Sequence, residues 1–122
     1  MIERRAPLVV AVCSVPLLGE ALEGALDGLA ECKVIAAGQP DIAGLLRSLQ
    51  PDAIVVDDEG EAEAAATYSR FARIPVLYVP PSGRRLRVLE NGRWEELADY
   101  DASPEAIRNL VAGGLYGRRA AQ

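Results

Sequence analysis

The chemistry-bearing residues of this sequence are few, and one run concentrates them. Pro51-Asp52-Ala53-Ile54-Val55-Val56-Asp57-Asp58 is a short apolar segment that ends on two adjacent carboxylates, with Glu59 next. A buried strand of this kind delivers a carboxylate to the carboxyl edge of a sheet, where open α/β folds place their ligands. The bland alternative is a solvated acidic loop that starts a helix, where negative charge suits the helix dipole. Cys13 and Cys32 are the only thiols. Topology puts them at opposite ends of neighbouring strands, too far apart for a disulfide, so both read as buried packing. Arg84, Arg85, Arg87 and Arg93 form a basic patch beside Trp94, suited to a phosphate or an acidic protein surface, or else to pairing with Glu90, Glu95 and Glu96. The sequence contains no histidine, which excludes His-based triads, His general bases and His-containing zinc sites. It also lacks a Gly-x-Gly-x-x-Gly fingerprint, a Walker-type loop and a nucleophile with an evident base, so no autonomous enzymatic activity is expected.

The 122 residues are 50% hydrophobic and 25% charged, the balance of one compact domain over 1–122, with 118–122 as a frayed tail or the start of a linker. Thirteen Lys and Arg against eighteen Asp and Glu give a net charge of −5, which opposes binding to nucleic-acid phosphates or anionic membranes. No signal peptide and no membrane span is legible, and unpaired cysteines fit a reducing compartment, so a cytoplasmic protein is expected.

Strands and helices alternate with short polar joints, the pattern of a parallel sheet. Leu8–Cys13 is a continuous apolar run, a strand buried on both faces. Leu17, Leu18, Ala21, Leu22, Ala25, Leu26 and Leu29 then recur at helical spacing over 16–29. Residues 33–37 predict a second strand, and Asp41 caps a helix facing the core with Ile42, Leu45, Leu46 and Leu49. After the third strand at 53–56, an alanine-rich helix covers 61–72 and a fourth strand covers 75–79. The alternation then breaks: Asn91-Gly92 between extended segments signals a hairpin over 86–97. A two-residue turn sets Glu90 against Arg93, Leu89 against Trp94, Arg87 against Glu96 and Leu86 against Leu97. Ser103 with Pro104 opens a last helix whose core residues are Ile107, Leu110, Val111 and Leu115.

This order of elements resembles bacterial response-regulator receiver domains, especially those joined to a helix-turn-helix output domain. Pro16–Leu22 resembles the start of the family's first helix, Pro51–Asp57 the segment with its phospho-acceptor aspartate, Ile74–Leu77 its fourth strand, and Asp101–Glu105 the opening of its last helix. The resemblance implies a flavodoxin-like three-layer α/β sandwich with parallel strand order 2-1-3-4-5, here with the fourth helix replaced by the hairpin. The family's phosphoryl chemistry uses an acidic pair for Mg²⁺, the acceptor aspartate, a Ser or Thr and a lysine. At those positions this sequence has Cys13 and Ser14, Asp57, Pro80 and Tyr100; its one lysine, Lys33, is expected at the start of the second strand, away from the pocket. Asp57 with Asp58 or Glu59 offers too narrow an arc for octahedral Mg²⁺, so neither metal nor cofactor is expected.

The resulting expectation is a pseudo-receiver in bacterial signalling or transcription control that acts by protein–protein contact. Its interaction surface is expected on Leu86, Arg87, Leu89, Arg93 and Trp94, with homodimerisation through the hairpin and last helix, and any DNA reading left to an attached domain. Two alternatives stand beside it: a working phospho-acceptor at Asp57, or a small-ligand sensor using the pocket of Cys13, Ser14, Asp57, Pro80 and Tyr100.

Overall fold

The computed structural model describes residues 7–80, 86–90, 92–97 and 103–113. Arg84, Arg85, Asn91, Tyr100, Asp101, Leu115 and the 118–122 segment, on which expectations were placed above, lie outside the described residues. The elements run β1 (Leu8–Cys13), α1 (Pro16–Leu26), β2 (Glu31–Ala36), α2 (Ile42–Leu49), β3 (Ala53–Val56), α3 (Glu59–Ala72), β4 (Val76–Tyr78), β5 (Arg87–Glu90), β6 (Arg93–Glu96) and α4 (Pro104–Ala112).

They build one six-stranded sheet in the order β2-β1-β3-β4-β5-β6. The first four strands in that order are parallel. The expected all-parallel sheet ends there: β5 runs antiparallel to β4, and β6 antiparallel to β5. A parallel fifth strand needs a crossover of roughly a dozen residues or more, usually a helix. The link 79–86 is too short for one, so the chain can only fold back beside β4. The hairpin therefore does more than stand in for a helix; it supplies the fifth and sixth strands of a mixed α/β sheet. Its register is the one the turn dictates, with Arg87 opposite Glu96, Leu89 opposite Trp94 and Glu90 opposite Arg93. The facing charges stop short of ion pairs, since among the described residues Arg87 and Arg93 contact no carboxylate.

Alternation along the buried strands divides the core into two layers. Val9, Ala11 and Cys13 face α1 and α4, joining Leu22, Leu26, Ile107 and Leu110, with Leu86 and Val88 from the hairpin side. Val10, Val12, Ile54 and Val56 face α2 and α3, joining Ile42, Leu46, Ala62, Ala65 and Leu89. Helices on both faces of a central sheet make three layers. Among the described residues no helix is long and apolar enough to cross a membrane.

Local chemistry sets the boundaries. Asp41 accepts from the Gly44 amide at 3.0 Å and Ser103 from the Ala106 amide at 3.1 Å, so the two expected caps form. α1 stops at Leu26, short of the expected residue 29: Asp27 leaves helical geometry at ψ 132°, and Gly28 follows at φ +79°, which glycine adopts without strain. Arg108 of α4 donates to the carbonyls of Ala25 and Asp27, satisfying the open end of α1 and fastening the two helices together. β2 begins at Glu31 rather than 33 and places Lys33 level with Val10, mid-strand rather than at the start. α3 begins at Glu59 rather than 61 because Asp58 caps it.

Candidate functional site

The carboxyl ends of β1 and β3 meet where Asp57 leaves the sheet. Val12 pairs with Val56, so Cys13 and Asp57 lie level on adjacent strands and Ser14 follows at once. Three of the five expected pocket residues, Cys13, Ser14 and Asp57, are thus brought together.

Asp57 is 2% exposed, and both oxygens of its carboxylate accept hydrogen bonds. Oδ1 accepts from the Ser14 amide at 2.7 Å and the Ser14 hydroxyl at 3.1 Å, and Oδ2 accepts from the Val15 amide at 3.1 Å. The cause lies in the residues that open α1. Val15 is its N-cap and has no side chain able to accept a hydrogen bond, while Pro16 at the first helical position has no N–H. The Asp57 carboxylate bonds one step earlier than a local Ser or Asp cap would, at the amides of Ser14 and of the N-cap Val15 rather than those of the second and third helical residues, and so fixes the turn that enters α1 beside the positive end of its dipole.

The second acidic residue turns the other way. Asp58 is exposed and caps α3, accepting from the Glu61 amide at 3.2 Å. The pair Asp57-Asp58 therefore divides between two helix starts instead of converging on one point. Among the described residues no three Cys, Asp or Glu side chains gather as a metal site. Glu61, which sequence reasoning passed over, reaches from α3 to the Gly38 amide at 3.2 Å, while its second oxygen is buried without a partner. Its signal was a carboxylate in the first turn of a helix beside a glycine-closed strand, too common a pattern to single out.

The thiols are inert in character. Burial first, then the Asp57 carboxylate and Cys32, push the Cys13 thiol up to about 12. Burial and Glu23 push Cys32 up to about 11. Cys32 pairs with Val9 and Cys13 with Ala36, so the two lie at different rungs of adjacent strands, both free.

The expected interaction surface needs correction. Leu86 and Leu89 are core residues, 0% and 5% exposed, on opposite faces of the sheet. Only Arg87, Arg93 and Trp94 of that set are exposed. Trp94 does not lie toward the last helix: it faces the α3 side, where its ring meets Tyr78 edge-on with centroids 6.4 Å apart. Strand parity separates the hairpin's apolar residues, so they cannot form one patch with α4. A recess of about 820 Å³ opens between α3 and the hairpin, walled by Glu59, Glu63, Thr67 and Arg70 and floored by Tyr78, Arg87 and Trp94. A second, of about 470 Å³, continues it past Arg73, Ile74 and Leu89. Asp57 lines neither.

Compared with protein-family models, curated proteins and solved structures, the chain matches none.

Proposed function

We propose that this chain is an atypical, flavodoxin-like receiver module, a pseudo-receiver, of a bacterial signalling or transcription-regulatory protein in the cytoplasm. It acts by contact with proteins rather than by Mg²⁺-dependent phosphorylation of an aspartate. The observation that carries this reading is the occupation of Asp57: both oxygens hold the loop that starts α1. A phospho-acceptor attacks through a carboxylate oxygen in line with the transferring group, assisted by a cation on its partner oxygen. Here attack would require breaking hydrogen bonds to an ionised acceptor, each worth about 1.5–3 kcal/mol.

The surrounding positions support the same reading. Cys13 offers a buried thiol held protonated and Ser14 a hydroxyl already donated to Asp57, where a cation needs carboxylates. Pro80 has no hydroxyl to draw toward a phosphoryl group. The contact role is favoured by arginines and aromatics exposed around the α3 recess, residue types that dominate binding energy at protein interfaces.

The test is a titration with Mg²⁺ and beryllofluoride followed through backbone amide NMR shifts. The reading expects an unmoved spectrum around Ser14 and Asp57. Concentrated shifts there that vanish in Asp57→Asn would replace it with the phospho-acceptor.

A further inference from the structure

The outward face of α3 has a shape and a charge order that its own fold leaves unused. Phe71, the chain's only phenylalanine, is 86% exposed. Helical spacing places Gly60, Ala64, Thr67 and Phe71 on one stripe, at i, i+4, i+7 and i+11. One large ring therefore stands about 16 Å along the axis from a hollow. Gly60 is exposed and carries no side chain, and a Cβ added there would crowd a single atom, an Asp58 carboxylate oxygen at 3.1 Å. Charge follows shape: Glu59 and Glu63 flank the hollow, and Arg70 and Arg73 flank the ring. Among the described residues none of these four has an ion-pair partner.

We propose that this face docks on the same face of a second copy of the chain, with the two α3 helices antiparallel about a two-fold axis. The proposal rests on the protein-contact reading above and names its partner. An axis midway between Gly60 and Phe71 sets each Phe71 over the other copy's Gly60 and meets Ala64 with Thr67, small enough for close helix approach. The same operation brings Arg70 between the levels of Glu59 and Glu63 of the second copy, twice over, as an isologous interface requires. A parallel pair would stack ring on ring and carboxylate on carboxylate, so charge selects the antiparallel arrangement. A different protein would have to match knob, hollow and both charge pairs independently, whereas a second copy matches all of them by symmetry.

Sedimentation equilibrium over a concentration series tests it. The full chain sediments as a monomer–dimer equilibrium, and Phe71→Ser raises the dissociation constant by about tenfold or more. Glu63→Arg alone and Arg70→Glu alone weaken the dimer by about tenfold, because each sets like charges together. The two changes in one chain restore association to within about threefold, since the reversed pair re-forms across the axis. All these side chains are exposed, and circular dichroism verifies that the variants stay folded. A chain that is monomeric at millimolar concentration, or a dimer indifferent to Phe71→Ser and to the charge swap, overturns the proposal. Either result with an unmoved beryllofluoride spectrum discards the second copy alone; shifts at Asp57 discard the functional reading and leave the dimer to be judged by its own data.

Discussion

Asp57→Asn separates a structural carboxylate from a reactive one through stability alone. The native side chain accepts three hydrogen bonds, at 2.7, 3.1 and 3.1 Å. An asparagine can keep its oxygen on Ser14, but its amide group then faces the Val15 N–H, donor against donor. One charge-assisted bond is lost, worth about 1.5–3 kcal/mol, and the two that remain weaken because their acceptor is now neutral. Ser14 and Val15 are themselves exposed, so water reaches the abandoned amide in part and holds the loss near the lower end. The expected destabilisation is about 2 kcal/mol for Asn, and about 3 kcal/mol for Ala, which frees every donor and leaves a small void.

Urea denaturation followed by Trp94 fluorescence and by circular dichroism measures it, since a domain of this size retains enough of its 5–15 kcal/mol to stay folded. Ser14→Ala costs about 1 kcal/mol on its own and less in the Asn background, because the two side chains share a bond. A neutral or stabilising Asp57→Asn would refute the reasoning. That is the behaviour of a carboxylate whose charge is repelled by its pocket, with no bonds to lose.

Three further outcomes follow from the geometry. Cys13 has its thiol pushed up to about 12 from an unfolded value of 9.0, so the native state holds the proton more tightly. Stability from this group is complete below pH 9 and falls as pH rises toward 12, by at most about 1.4 kcal/mol per unit, a slope seen as the difference between the native chain and Cys13→Ala in urea midpoints. At pH 8 a thiol-reactive dye should label Cys13 only on unfolding. Two glycines of α1 should answer an alanine with opposite signs. At Gly19 the new Cβ would lie 2.6 Å from a Val34 methyl, costing about 1–2 kcal/mol, whereas at Gly24 nothing lies within 4 Å and Ala should stabilise by about 0.5–1 kcal/mol. Thermal melts of the pair decide it, and equal signs would refute the close approach of α1 to β2. Gly92 holds φ +77° in the hairpin turn, so Gly92→Ala should cost about 1 kcal/mol and loosen the Tyr78–Trp94 contact, read as a change in Trp94 fluorescence.

Much of the architecture was legible because it is written in short-range terms. Strand and helix periods, the caps at Asp41 and Ser103, and the cross-strand register of the hairpin are decided within a few residues, and the caps and the register stand in the structure. The direction of β5 was not read, although the information was there: the link 79–86 has no room for a crossover. The error came from letting the pattern of the first four strands continue. Burial within the hairpin was missed for a related reason. Leu86, Leu89 and Trp94 look alike in composition, yet alternate residues of a strand face opposite sides. Only the docking of β5 on β4 turns the leucines into core and leaves the indole half open.

The candidate site was half legible, and the reason lies in the distance between a deficit and its remedy. The deficit is local: the Ser14 and Val15 amides, in the turn that enters α1, take their acceptor from outside the segment, and Val15 offers no side-chain cap. The remedy comes from Asp57, more than forty residues later, and becomes visible only when β1 and β3 are neighbours with Val12 level with Val56. Sequence alone therefore shows an aspartate at a sheet edge and gives no measure of how free its oxygens are. The face of α3 posed the opposite problem. Its residues are contiguous, but an alanine-rich helix reads as filler until burial shows that Phe71 points outward while Ala62 and Ala65 meet the sheet. The sheet-edge aspartate that invited a chemical reading is engaged in holding the fold, and the uncommitted surface lies on the helix that composition made least conspicuous.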